Sequence, residues 1–152
     1  MNSIKIKNLF FSIILLVIVS ISLMACNNNE PSNKDVIITK VYVEEHAKAG
    51  LTNGLSAEEV KEVFGKPQKE SVDGVFDVFL YYKINKKDYQ LPENSIDHEG
   101  IIRGDVGYEM QIVLQNDKVM EYQYFYKVDD DVWEFRVSED QTHDNKVTSS
   151  DE

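Results

Sequence analysis

The sequence predicts an α+β domain in which one or two N-terminal helices pack on one face of a three- to four-stranded antiparallel β-meander. Two observations lead to this fold class. A capping signal at Ser56 is followed by apolar residues at helical spacing, and from Gly74 onward apolar residues recur at every second position. Polar turns at 116–118 and 129–131 then divide the second region into short strands. We assign residues 36–138 to this domain.

The clearest helix begins at Ser56. Its side chain can cap the free backbone N–H groups, and Glu59 lies three residues later, where it can complete a capping box. The apolar residues that follow share one face of the helix, and they are Val60, Val63 and Phe64. Gly65 can end the helix in a left-handed conformation, and Pro67 prevents its continuation.

A second helix is predicted upstream of the first. Residues 43–49 suit a helix that ends at Gly50. Residues 36–39 suit either a strand or the start of that helix.

Four strands are expected after Gly74. They run from Val75 to Ile84, from Tyr108 to Gln115, from about Val119 onward, and from Val132 to Val137. The loop between the second and third strands decides which of their side chains share a face.

Two loop lengths are possible in that hairpin. A two-residue turn at 116–117 pairs Leu114 with Val119 and places Glu121 beside the apolar row. A three-residue loop pairs Leu114 with Met120 and keeps one face apolar or aromatic. Its further pairs are Ile112 with Tyr122, Met110 with Tyr124, and Tyr108 with Tyr126. We predict the three-residue loop.

Aromatic side chains exceed what one thin core can hide. In the predicted register, the tyrosines at 122, 124 and 126 belong to the face covered by helices. Phe79 and Tyr81 then lie on the opposite, open face. Exposed aromatic side chains of this kind often dominate protein interfaces. Phe79 and Tyr81 are therefore the candidate partner-binding residues.

The N-terminal segment has the composition of a secretory signal, since two lysines precede an apolar stretch at 9–25. Leu23-Met24-Ala25-Cys26 resembles the lipobox of bacterial lipoproteins. The resemblance implies cleavage between Ala25 and Cys26, acyl chains on Cys26, and extracytoplasmic anchoring at the cell membrane or an outer membrane. The alternative is a transmembrane helix beside an unmodified thiol. Residues 1–25 are thus the expected signal peptide.

Two polar segments flank the domain. Residues 26–35 lack the apolar residues needed to order them, and we expect a flexible tether. Residues 139–152 are polar and acidic, and we expect a disordered tail.

The charge of the chain restricts its partners. The formal net charge is −11, and removal of residues 1–25 takes away two lysines and no carboxylate, which leaves −13. Such a balance argues against nucleic acid as a partner, because phosphate binding requires clustered cations. It also repels anionic headgroups, so membrane contact should come from the lipid on Cys26 rather than from the domain surface.

No pattern in the sequence predicts an enzyme, a cofactor or a metal site. The three histidines, His46, His98 and His143, are scattered. The long segment at 85–107 contains Asp97-His98-Glu99, but no second cluster supplies the remaining metal ligands. It also contains Arg103-Gly104-Asp105, which matches a tripeptide recognised by adhesion receptors, although Gly104 equally suits an ordinary turn.

A family resemblance accompanies these patterns. It is carried by Gly54-Leu55-Ser56, Val60, Gly65, Pro67, Phe79, Tyr81, and the hairpin of Met110, Ile112, Leu114 and Val119. This arrangement resembles the SmpA/OmlA (BamE-like) lipoproteins and the repeat unit of the β-lactamase-inhibitor-protein fold. The resemblance implies helices on an antiparallel sheet and a domain that works by binding other proteins, in envelope assembly or as an inhibitor.

We therefore expect a lipid-anchored cell-envelope protein whose domain is a non-catalytic protein-interaction module, with an envelope protein as its partner. Two alternatives remain. They are a small-ligand-binding lipoprotein and an envelope enzyme.

Overall fold

Six antiparallel strands form one sheet. The computed structural model describes residues 36–93 and 95–147. Within these residues the helices are α1 (Lys40–Asn53), α2 (Ala57–Phe64) and α3 (His98–Arg103). The strands are β1 (Lys69–Asp73), β2 (Phe76–Ile84), β3 (Val106–Gln115), β4 (Lys118–Val128), β5 (Asp131–Ser138) and β6 (Thr142–Val147). They lie side by side in chain order.

The predicted meander of three to four strands is wrong, because the sheet has six strands and a third helix packs against it. The four expected strands are β2 to β5. The two additional strands, β1 and β6, form the edges, and their polar, largely exposed residues lack the apolar alternation that marks a half-buried strand. β6 lies within 139–152, so the prediction of a disordered tail is wrong for residues 142–147. The predicted signal peptide and tether lie outside the described residues.

The capping box of α2 is confirmed. The Ser56 hydroxyl accepts from the Glu59 N–H at 3.4 Å, and the Glu59 carboxylate accepts from the Ser56 N–H at 2.8 Å. Gly65 follows the helix with a φ of +80° and an extended ψ of −173°, so it needs the freedom of glycine but is not in the predicted left-handed helical conformation.

Helix α1 is longer than predicted. It begins after the Thr39 cap and continues through Gly50 to end at Gly54, which has a left-handed conformation. Gly50 lies inside the helix. A glycine is needed there because a Cβ would occupy the same space as the Tyr122 hydroxyl. This position therefore uses a glycine for close packing rather than for helix termination.

The predicted three-residue loop of the β3–β4 hairpin, with its Leu114–Met120 pair, is wrong, because the hairpin begins in the first register considered and continues in the second. Asn116 and Asp117 have φ values of +52° and +59°, which form a two-residue turn and pair Leu114 with Val119. The register then shifts by one residue, and Met120 is the additional residue of a bulge. Beyond the bulge the predicted pairs are confirmed, namely Ile112 with Tyr122, Met110 with Tyr124, and Tyr108 with Tyr126.

The main core lies between the first face of the sheet and the helices α1 and α2. Val43 and Ala47 of α1 and Val60 and Phe64 of α2 are buried in it. The sheet contributes Phe79, Tyr81, Met110, Ile112, Leu114, Val119, Tyr122, Tyr124, Phe135 and Val137. This arrangement confirms that the tyrosines at 122 and 124 belong to the covered face.

A second, smaller core lies on the other face of the sheet. Ile101 of α3 packs there with Val106, Phe125 and Val132. The prediction placed helices on one face only, but the segment between β2 and β3 crosses the second face and folds α3 against it. The second face of the sheet is therefore covered as well, at the end where Val106, Phe125 and Val132 lie.

Two buried carboxylates hold this segment to the sheet. Glu109, only 2% exposed, accepts from the Asp97 N–H at 2.7 Å. Asp97 caps α3 by accepting from the Gly100 N–H at 2.9 Å and also accepts from the Tyr89 hydroxyl at 2.5 Å. Burial raises the pKa of Glu109 above the ordinary value of 4.5.

Two buried tyrosines provide a matched test of hydrogen bonding in the main core. Tyr81 donates to the Gly65 carbonyl at 3.0 Å, whereas the Tyr122 hydroxyl has no partner among the described residues. We expect Tyr81→Phe to lower the free energy of unfolding by about 0.5–1.5 kcal/mol and Tyr122→Phe to leave it unchanged or to raise it. Urea denaturation measures both. Equal losses in the two variants would contradict the assignment.

Glu109 should make stability depend on pH. Because its pKa is higher in the folded state than in the unfolded chain, its contribution is fully present below about 4.5 and is lost as the pH rises through the folded pKa. Glu109→Gln keeps an oxygen acceptor for the Asp97 N–H but does not titrate. We expect the variant to gain stability relative to the natural chain as the pH rises. Parallel denaturation profiles across this range would refute the expectation.

Candidate functional site

Phe79 and Tyr81 do not form an open binding face. They are 3% and 1% exposed and lie in the main core, so the prediction of an open face at these residues is wrong. The reason lies in the pairing with β3, which sets Phe79 opposite Ile112 and Tyr81 opposite Met110 on the side covered by α1 and α2. The ring of Tyr81 lies 6.1 Å from that of Phe64 in α2.

A different set of aromatic side chains remains partly exposed. One transverse row of paired residues crosses five strands, from β2 to β6, on the first face of the sheet. We call it the aromatic row, and its members are Lys83, Tyr108, Tyr126, Trp133 and Lys146. The three aromatic residues are half-buried, and the lysine at each end is exposed.

The rings of this row continue those of the main core. Tyr124 is buried, and its ring lies 5.4 Å from that of Tyr108 and 5.5 Å from that of Tyr126, with interplanar angles of 31° and 30°. Aromatic rings at such distances stabilise each other beyond the area that they bury. Tyr124 therefore supports two rings of the aromatic row.

Trp133 is the only tryptophan in the chain, and it belongs to neither core. Tyr108 and Tyr126 pack against the main core, whereas Trp133 does not, and tryptophan is enriched among the residues that dominate binding energy at interfaces. Trp133 is thus the residue of this surface that folding explains least.

Asp144 connects the aromatic row to the start of α1. The Tyr126 hydroxyl donates to it at 2.8 Å, and Lys40 Nζ lies 3.1 Å from its other oxygen. Burial, and then the bond to Asp144, raise the pKa of Tyr126 to about 12, so the phenol stays a neutral donor. Lys40 also lies 5.0 Å from the ring centre of Phe135, at cation–π distance.

The lysines at the two ends differ in their contacts. Lys146 pairs with Asp131 at 2.8 Å, but both side chains are more than two-fifths exposed, so the pair adds little stability. Lys83 has no ion pair among the described residues. Both ammonium groups are therefore accessible to a carboxylate from outside.

The other predicted motifs have structural roles. Asp97 caps α3, the His98 ring packs 5.9 Å from that of Phe125, and Glu99 pairs with Arg103 at 3.1 Å. In Arg103-Gly104-Asp105 the arginine also binds the aspartate at 3.0 Å, and Gly104 ends α3 with a φ of +78°. The side chains of this tripeptide therefore bind each other.

Two open clefts lie away from the aromatic row. The first, of about 650 Å³, is bounded by the end of α1, the Met120 bulge and the β5–β6 turn. The second, of about 380 Å³, lies between β2 and residues 89–93. Among residues 36–93 and 95–147, no group of three His, Cys, Asp or Glu side chains could hold a metal ion.

Ala25 and Cys26, the predicted cleavage and lipidation residues, lie outside the described residues. Within the part of the chain that the structure describes, no helix is long and apolar enough to cross a membrane.

The sequence contained one signal for the aromatic row. The predicted pairing of Tyr108 with Tyr126 is confirmed and would have led across the sheet to Trp133. The prediction does not reach Trp133 because it assigns Tyr126 to the fully covered core, whereas α1 and α2 leave this end of the face partly exposed.

Comparisons with protein-family models, with curated proteins and with solved structures gave no match to this chain.

Proposed function

We propose that this chain is a lipid-anchored cell-envelope protein whose sheet domain binds another protein without catalysis. The observation that carries the proposal is the aromatic row, with a half-buried tryptophan that lies outside both cores. The lipobox-like Leu23-Met24-Ala25-Cys26 supports the lipid anchor, and the resemblance to BamE-like lipoproteins is consistent with a binding role.

The chemistry of the aromatic row suits a protein surface. Tyrosine and tryptophan supply large rigid contact areas with polar tips, and the three rings lie side by side on neighbouring strands. Lys83 and Lys146 add one cation at each end. The complementary surface is an apolar segment with acidic residues on both sides of it.

The second candidate function is the binding of a small ligand. The cleft of about 650 Å³ has a volume in the range of small-molecule sites, and its apolar lining includes Leu51, Val119 and Val137. This cleft does not include Trp133. A substitution at Trp133 should therefore reduce protein binding and leave small-ligand binding unchanged.

The lipid anchor is tested at Cys26. We expect Cys26→Ala to abolish incorporation of labelled acyl chains and to release or misprocess the protein, because Cys26 is the only thiol in the chain. Metabolic labelling and membrane fractionation measure the two effects. Unchanged labelling with full membrane retention would show that the lipobox resemblance misleads.

The aromatic row is tested by photo-crosslinking in intact membranes. A photoreactive residue replaces Lys146, at the exposed end of the row, or Glu62, on the exposed side of α2, as the matched control. We expect a crosslinked partner from position 146 and not from position 62. Trp133→Ala should reduce that product at least about tenfold, as expected for a central interface residue, and Trp133→Phe should reduce it less.

The fold is monitored in the same variants by thermal unfolding. Because Trp133 is half-buried, its truncation can lower the midpoint, so crosslinking is compared only at temperatures at which every variant is folded. An identical product from position 62, or a product that survives Trp133→Ala, would refute the aromatic row as the contact surface.

A further inference from the structure

The hairpin of β1 and β2 exposes an unusual amount of apolar surface. Val72 is 73% exposed, Val75 is 68% exposed and Phe76 is 38% exposed. All three lie within five consecutive positions, whereas single exposed apolar residues scattered over a surface are ordinary. Exposed apolar side chains beside an unpaired strand edge favour association with another chain.

β1 is also an open edge of the sheet. Among the described residues it pairs only with β2, in the register that sets Asp73 opposite Phe76 around a two-residue turn. Counted back from the Asp73–Phe76 pair, the N–H and C=O groups of successive β1 residues are directed alternately toward β2 and away from it. Ser71 is directed toward β2, and the N–H and C=O groups of Glu70 and Val72 are directed outward. Four backbone groups per chain are therefore available to another strand.

We propose that β1 is the dimerisation edge of this protein, where β1 of a second copy pairs antiparallel about a two-fold axis through Ser71. In this register, Glu70 of each copy pairs with Val72 of the other. Their outward N–H and C=O groups form the hydrogen bonds of the new ladder. The two sheets then join into one sheet of twelve strands.

Charge complementarity selects the second copy as the partner. In the register centred on Ser71, Lys69 of each copy lies opposite Asp73 of the other, which gives two cross-strand ion pairs. A shift that centres the axis on Glu70 places two carboxylates opposite each other, which is destabilising. A shift that centres it on Val72 loses the Lys69–Asp73 pairs. The five residues of β1 are therefore self-complementary in one register.

The same register also places the exposed Val72 opposite Glu70 of the second copy on the first face of the sheet. On the second face of the sheet, the row across the dimer is Phe76, Asp73, then Lys69 and Leu80 of the second copy. Lys69 Nζ lies 3.3 Å from the Glu93 carbonyl, and an ammonium with three donors can keep this contact while it pairs with Asp73.

A single cysteine on the axis tests the dimer in the full-length protein in membranes. The two Ser71 residues form a non-hydrogen-bonded antiparallel pair in this dimer. The Cα atoms of such a pair lie about 4.5 Å apart, within the range of a disulfide. We expect Ser71→Cys to form a disulfide-linked dimer on mild oxidation. The matched control is Thr142→Cys on β6, the opposite edge, which is also exposed. The natural chain controls for its own Cys26.

Charge exchange tests the register. In the Ser71→Cys background, Lys69→Asp or Asp73→Lys turns both attractive pairs into repulsive ones, and we expect the crosslinked fraction to fall about fivefold or more. The double exchange restores two opposite pairs, so crosslinking should recover. A merely structural role of either residue does not predict this recovery.

Three results would overturn the proposal. They are a monomeric Ser71→Cys chain, equal dimer formation by Thr142→Cys, and a double exchange that does not recover. A disulfide from Ser71→Cys to a different protein would assign the edge to that protein instead of to a second copy. The aromatic row takes no part in these outcomes, so the dimer and the proposed binding surface stand or fall separately.

Discussion

The register of the β3–β4 hairpin determines which side chains meet on each face of the sheet. The turn at Asn116 and Asp117 is too short for the pairing that the rest of the hairpin adopts, and the bulge at Met120 absorbs the difference. Because side chains alternate along a strand, a shift by one residue would move Tyr122 and Tyr124 from the main core to the second face. Both cores and the aromatic row therefore depend on the bulge.

The second face depends on burying polar groups as well as apolar ones. The segment between β2 and β3 supplies Ile101 for the small core, but its position is set by the hydrogen bond between Glu109 and the Asp97 N–H. Burial of a carboxylate costs free energy unless its oxygens accept hydrogen bonds. Glu109 therefore favours the one arrangement of the segment that brings the Asp97 N–H to it. Burial of Glu109 thus costs stability but fixes the position of α3.

The sequence predicted the parts of the fold that have strong local signals. The Ser56 capping box, the strands β2 to β5 and most of the β3–β4 pairs follow from side-chain chemistry and from the alternation of apolar residues. β1 and β6 could not be found in this way, since edge strands with polar, exposed residues have the composition of loops. Phe79 and Tyr81 were placed on the wrong face because the pairing of β2 with β3 spans a long segment, which no local pattern encodes. The aromatic row required that pairing together with the position of α1, so it became visible only in three dimensions.

The contact between Gly50 and Tyr122 has a consequence for how this chain can vary in evolution. The helix would gain from alanine at position 50, but a Cβ there would collide with the Tyr122 hydroxyl. Loss of that hydroxyl removes the closest obstacle. The two positions, 72 residues apart in the chain, should therefore vary together, with alanine at 50 accompanying phenylalanine at 122. In related sequences, this covarying pair would record the packing of α1 on the sheet.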